Sequence, residues 1–122
     1  MNKNEILQKL NELDLDKNKY IVISGASLVV QDIIPETSDI DMTTSLDYYN
    51  SINWPESLGH MGKPIKSFDL FEISNNLYEE NAKTITITGY KFLNLKDILK
   101  TKKVLNREKD YYIIKKLEDM LK

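Results

Sequence analysis

Ser24-Gly25-Ala26-Ser27, followed fourteen residues after Gly25 by Asp39-Ile40-Asp41, decides how this chain reads. A β-like run, Tyr20-Ile21-Val22-Ile23, leads into the glycine, and a short helical pattern, Leu28-Val29-Val30-Gln31-Asp32-Ile33-Ile34, leads out of it. Two carboxylates then stand two residues apart in an extended segment. Strand side chains alternate faces, so Asp39 and Asp41 point one way while Ile40 and Met42 point the other. Like charges held side by side are costly unless something positive sits between them. A hard divalent cation such as Mg²⁺ fills that role with one or two carboxylates plus phosphate oxygens. The glycine turn feeding a helix N-terminus offers the matching anion site. Together these features predict a metal–nucleotide site.

Composition bounds the reading. The 122 residues suit one domain, residues 1–122, large enough for a core. Apolar content of 41% and charged content of 30% describe an ordinary globular chain. It has no run of eighteen apolar residues, and its start, Met1-Asn2-Lys3-Asn4-Glu5, is not signal-like; no membrane contact and a cytoplasmic location are expected. The absence of cysteine excludes disulfides, thiolate chemistry and cysteine-ligated metal. One histidine, His60, argues against a histidine zinc site or a Ser-His-Asp triad. A formal charge of −2 gives no global attraction to nucleic acid, though a local basic patch stays open.

Ile6, Leu7, Leu10 and Leu13 recur at helical spacing and predict a helix over residues 3–14. A strand follows at 20–24, and the helix after Gly25 is expected to run until Pro35 stops it. Residues 39–44 read as strand two, 46–52 as a short helix and 56–64 as loop. Residues 67–73 alternate well enough for strand three. Thr84-Ile85-Thr86-Ile87-Thr88 is a period-two strand that Gly89 turns into Tyr90-Lys91-Phe92-Leu93. Asn94 is a plausible cap for a helix over 95–104, and a last helix is expected over 108–121. The result is an α+β domain, a small mixed β-sheet packed by helices.

Strand three completes the predicted chemistry. By parity Asp69 and Glu72 fall on opposite faces, and with Leu70 placed toward the core, Asp69 faces the cleft. Beside the Asp39/Asp41 strand it reaches the same cluster as third carboxylate, so Asp69 is favoured over Glu72.

The pattern β-Gly25-Ala26-Ser27-α, then Thr37-Ser38-Asp39-Ile40-Asp41, then Phe68-Asp69-Leu70-Phe71, resembles the polymerase-beta-type nucleotidyltransferase superfamily, and within it the small single-domain bacterial and phage members. Leu93-Asn94-Leu95-Lys96-Asp97-Ile98, Lys102-Lys103 and Asn106-Arg107-Glu108-Lys109-Asp110 are similar to the tail of such members. The resemblance spans residues 19–118. It implies the nucleotidyltransferase fold and transfer of a nucleoside monophosphate from an NTP, ATP first, to a hydroxyl, with Mg²⁺ or Mn²⁺ as cofactor. Asp39, Asp41 and Asp69 would be catalytic and metal-binding, and Ser24, Gly25, Ala26 and Ser27 would form the triphosphate turn. The family shows Gly-Ser or Gly-Gly there; Ala26 keeps a backbone N–H but brings no hydroxyl. The acceptor, whether small molecule, protein or RNA end, is not specified, and a homodimer would supply an acceptor cleft. The competing expectation is a non-catalytic relative acting as a partner-binding module of toxin–antitoxin or phage-defence type.

Lys103 and Arg107, four residues apart, share a helical face if the helix persists that far, and a phosphate between them would relieve their repulsion. Alternatively, Arg107 pairs with Asp110 while Lys102, Lys103 and Lys109 are solvated. Tyr48, Tyr49, Tyr111, Tyr112 and Trp54 read as packing or rim residues. His60 reads as a solvated loop residue near an acceptor entrance.

Overall fold

Asn2 starts the first helix, α1 (Lys3–Glu12), with a capping box: its Oδ1 accepts from the Glu5 N–H at 2.9 Å, and Glu5 Oε1 accepts from the Asn2 N–H at 3.1 Å. Ile6 and Leu10, one turn apart, are its buried side. In the computed structural model, which describes residues 1–59, 62–75 and 82–121, that side packs on a seven-stranded mixed sheet. The strands are β1 (Tyr20–Ile23), β2 (Ile40–Thr44), β3 (Glu56–Leu58), β4 (Pro64–Phe68), β5 (Phe71–Ser74), β6 (Thr84–Ile87) and β7 (Tyr90–Leu93). Their spatial order is β3-β4-β5-β2-β1-β7-β6. The remaining helices are α2 (Ser24–Val30), α3 (Leu46–Ser51), α4 (Leu95–Leu105) and α5 (Tyr111–Met120), with a 3-10 turn at Glu108–Asp110.

The middle of the sheet places the functional strands. β1 runs antiparallel to β2 and parallel to β7, while β2 runs parallel to β5. All four residues of β1 are buried, as a central strand covered on both faces requires. Tyr20, Val22, Ile40, Met42, Phe71, Ile73 and Phe92 join Ile6, Leu10, Val29 and Val30 in the main core. A second cluster, Leu28, Ile33, Ile98, Ile113 and Leu117, ties α4 and α5 to α2. No helix among the described residues is long and apolar enough to cross a membrane.

The helix expected over 108–121 opens with the 3-10 turn at Glu108–Asp110 before α5, α1 stops at Glu12, and three other stretches differ more. The helix after Gly25 ends at Val30 rather than at Pro35, because Asp32 takes a left-handed conformation (φ 64°) and closes a Schellman motif. In it the Ile33 N–H bonds to Leu28 O at 2.9 Å and the Asp32 N–H to Val29 O at 3.0 Å. The stretch 56–64 contains the exposed edge strand β3. Residues 67–73 do not form one strand: Asp69, at φ 54°, and Leu70 turn the chain from β4 back into β5. The Gly89 turn forms as expected, with Thr88 and Gly89 both at positive φ, the signature of a tight hairpin turn. His60 lies outside the described residues.

Gly25 is held by a close approach rather than by its torsion. A Cβ there would stand 2.7 Å from Thr37 Oγ1, on the segment that leads into Asp39. Gly25→Ala is expected to cost about 1–3 kcal/mol, the range for overpacking. Thermal melting should show the loss, and Thr37→Ala in the same chain should recover most of it.

Candidate metal centre

The sheet register builds an acidic cluster on one face. Ile40 and Met42 turn into the main core, so Asp39 and Asp41 face the opposite way, as expected. β5 repeats the pattern: Phe71 and Ile73 are core residues, and Glu72 between them faces away. Parallel pairing sets Asp41 directly beside Glu72, and antiparallel pairing sets it beside Ile23, the last residue before the Ser24-Gly25 turn. One carboxylate oxygen from each of Asp39, Asp41 and Glu72 lies within 4.8 Å of the other two.

The electrostatics record the crowding. Burial pushes the Asp41 carboxyl up to about 7, the neighbouring charges of Asp39 and Glu72 and a hydrogen bond with Glu72 add to the rise, and Lys102 opposes it. The rise reflects three carboxylates crowded together with little positive charge between them. Thr43 follows Asp41 on the same face, buried, and its hydroxyl has no partner among the described residues.

The third carboxylate of this cluster is Glu72, not Asp69. Asp69 sits in the β4–β5 turn and meets Lys9 of α1 at 2.8 Å. The parity argument fails because the turn at 69–70 resets the alternation. The usable signal was the repeated triplet: Phe71-Glu72-Ile73 matches Ile40-Asp41-Met42 as apolar, acidic, apolar.

The glycine turn also divides. Ser24 adopts φ 56° and, like Gly25, is partly accessible, whereas Ala26 and Ser27 are buried. The Ser27 hydroxyl donates to Leu93 O at 2.9 Å and accepts from Gln31 Nε2 at 2.9 Å, which fixes α2 to β7. Ala26 and Ser27 therefore present no side chain to the turn.

Lys103 and Arg107 do not converge. Lys103 is exposed and meets Glu118 of α5 at 3.0 Å. Arg107 places its terminal nitrogen 2.7 Å and its Nε 2.8 Å from Asp110 Oδ2. The cation whose charge reaches Asp41 is Lys102, buried on the Ile98 side of α4 and 3.1 Å from Asp110 Oδ1. Burial alone would raise Asp110, but the hydrogen bonds and charges of Lys102 and Arg107 outweigh it and hold the carboxyl below its usual range. Two cations sharing one carboxylate leave a positive charge over, beside the acidic cluster. A lysine four residues after a buried isoleucine was the available signal for Lys102.

Asp41 makes stability pH-dependent. Its folded pKa lies above its ordinary 3.8, so the contribution is full below 3.8 and is lost as pH rises through about 7. In chelator, Asp41→Asn should gain on wild type between pH 4 and 8, by at most about 4 kcal/mol. Guanidinium denaturation checks this, and a difference that stays flat with pH would rule out the raised pKa. Asp110→Asn leaves Lys102 buried without its carboxylate and should cost about 3–5 kcal/mol. Lys102→Met, which leaves Asp110 paired with Arg107, should cost less in the same guanidinium denaturation.

No protein-family model matches the sequence, and no curated protein matches it significantly. In three dimensions the chain is similar to the crystal structure of a "putative nucleotidyltransferase" from Thermotoga maritima, with a TM-score of 0.58 over 98% of this chain and 96% of that one. The two are 16% identical, so the likeness concerns the fold. The α+β expectation, a mixed sheet packed by helices in the nucleotidyltransferase fold, holds.

Proposed function

We propose that this chain is a divalent-metal-dependent nucleotidyltransferase that moves a nucleoside monophosphate from a nucleoside triphosphate, ATP in the first instance, to a hydroxyl. The observation that carries the reading is the convergence of Asp39, Asp41 and Glu72 within 4.8 Å, in a fold shared with the Thermotoga protein. Three crowded carboxylates, with Asp41 raised by burial and by its two neighbours, fit a hard cation, and an all-oxygen donor set suits Mg²⁺ or Mn²⁺. The bound ion would neutralise phosphate charge and acidify the attacking hydroxyl.

The rest falls to the chain's own residues. Asp39, Asp41 and Glu72 would hold the cation, and one of the three carboxylates would take up the hydroxyl proton. Ser24 and Gly25 border the cluster through Ile23, and a glycine lets phosphate approach the backbone closely. Lys102 supplies positive charge that reaches Asp41. The acceptor oxygen bonds to the α-phosphorus, the bond from that phosphorus to its bridging oxygen breaks, and pyrophosphate leaves. A non-catalytic, partner-binding reading draws on one observation: the Ser27 hydroxyl is committed to Leu93 and unavailable to phosphate.

Calorimetric titration of ATP with Mg²⁺ separates these. Wild type should bind, Asp39→Asn/Asp41→Asn should not, Glu72→Gln should lose about tenfold or more, the order seen for removed charge-assisted contacts, and Asp69→Asn should match wild type. Undiminished metal-dependent binding in the Asp39→Asn/Asp41→Asn chain would overturn the assigned site. Absence of binding in folded wild type would favour the partner-binding reading.

A further inference from the structure

Charge is unevenly distributed along this chain. Residues 1–90 carry 14 acidic against 7 basic side chains, a net of −7, whereas residues 91–122 carry 10 basic against 5 acidic, a net of +5. Much of the positive excess lies on α4, where Lys96, Lys100, Lys102 and Lys103 stand against Asp97 alone. Lys96, Lys100 and Lys103 succeed one another at steps of four and three, so they share one stripe of α4, away from buried Ile98 and Lys102. All three are exposed, and the stripe is about 10 Å long at 1.5 Å per residue. Lys103 meets Glu118, but Lys96, Lys100, Lys109 and Lys115 have no ion-pair partner among the described residues. Like charges one turn apart weaken a helix, so the fold itself gives no reason for the stripe.

Exposed aromatic rings adjoin it. Tyr111 and Tyr112, 50% and 65% exposed, begin α5, and the Tyr111 hydroxyl reaches Asn106 at the end of α4, at 3.4 Å. Regularly spaced cations beside solvent-facing rings match the backbone and bases of a single-stranded nucleic acid. An acidic protein surface would satisfy the lysines but leave the rings unused. We propose that this face docks single-stranded RNA, with Lys96, Lys100 and Lys103 on phosphates and Tyr111 and Tyr112 under bases. The docking does not rest on the transfer proposed above. The same helix carries Lys102, whose charge reaches Asp41, so the docked strand lies about one helix diameter, ~10 Å, from that lysine.

The test is fluorescence anisotropy of a labelled 12-nucleotide single-stranded RNA with the full chain, in EDTA, across 50–300 mM KCl. Binding should weaken with salt with a log–log slope of about −2, three phosphates at roughly 0.7 each. Lys96→Gln/Lys100→Gln should lose about tenfold or more and flatten the slope, while Tyr112→Ala should weaken binding at unchanged slope. Unchanged RNA affinity in the lysine variant, or a 12-residue polyglutamate bound as tightly as the RNA, would overturn the docking. ATP with Mg²⁺ should bind the lysine variant as it binds wild type. Wild type that binds RNA but not ATP with Mg²⁺ would overturn the transfer reading, with the docking face upheld.

Discussion

The parallel register of β2 against β5 is the constraint on which the rest of the site depends. It aligns Ile40 with Phe71 and Met42 with Ile73 in the core, and by the same stroke Asp41 with Glu72 on the other face. Because strand side chains alternate, a slip of one residue would push a carboxylate into the apolar core and an isoleucine or methionine out. Burying one unpaired carboxylate costs far more than the repulsion between two that share a face. The core thus enforces the crowding of the acidic cluster.

Around that strand pair, local contacts fix what the register alone leaves loose. Thr37 packs against Gly25, so the segment entering Asp39 rests on the start of α2. Ser27 and Gln31 fasten α2 to the Leu93 carbonyl of β7. Lys9 ties α1 to the turn that launches β5. Lys66 donates to the carbonyls of Tyr49 and Ile52, ending α3 over the β3–β4 edge.

Readability from sequence followed the range of the interaction. Asn2, Asn94 and the Thr88-Gly89 turn act within a few residues, and their helices and hairpin were legible. Asp39 and Asp41 were legible because strand parity is local. Glu72 was not: Ser67–Ile73 alternates plausibly as one strand, and nothing nearby shows that Asp69 accepts positive φ while Lys9, sixty residues earlier, holds its carboxylate. Ser27 misled because a hydroxyl beside a glycine turn looks like a phosphate donor until Leu93, sixty-six residues on, claims it. Lys102 was hidden for the same reason. A lysine on an apolar helix face declares itself only when Asp110 and Arg107 fold against it.

The strand order has a temporal consequence. β1 lies between β2, its next strand in sequence, and β7, whose Phe92 pairs with Val22 across seventy residues. Closing so long a loop carries an entropic cost that local contacts cannot offset, and such topologies assemble slowly. During synthesis β2 and β5 emerge first and can bring their carboxylates together. Lys102, the nearby positive charge, follows only after β7 and most of α4 have left the ribosome. The acidic cluster therefore passes through a stage of nascent life without Lys102, in which solution cations can relieve its repulsion.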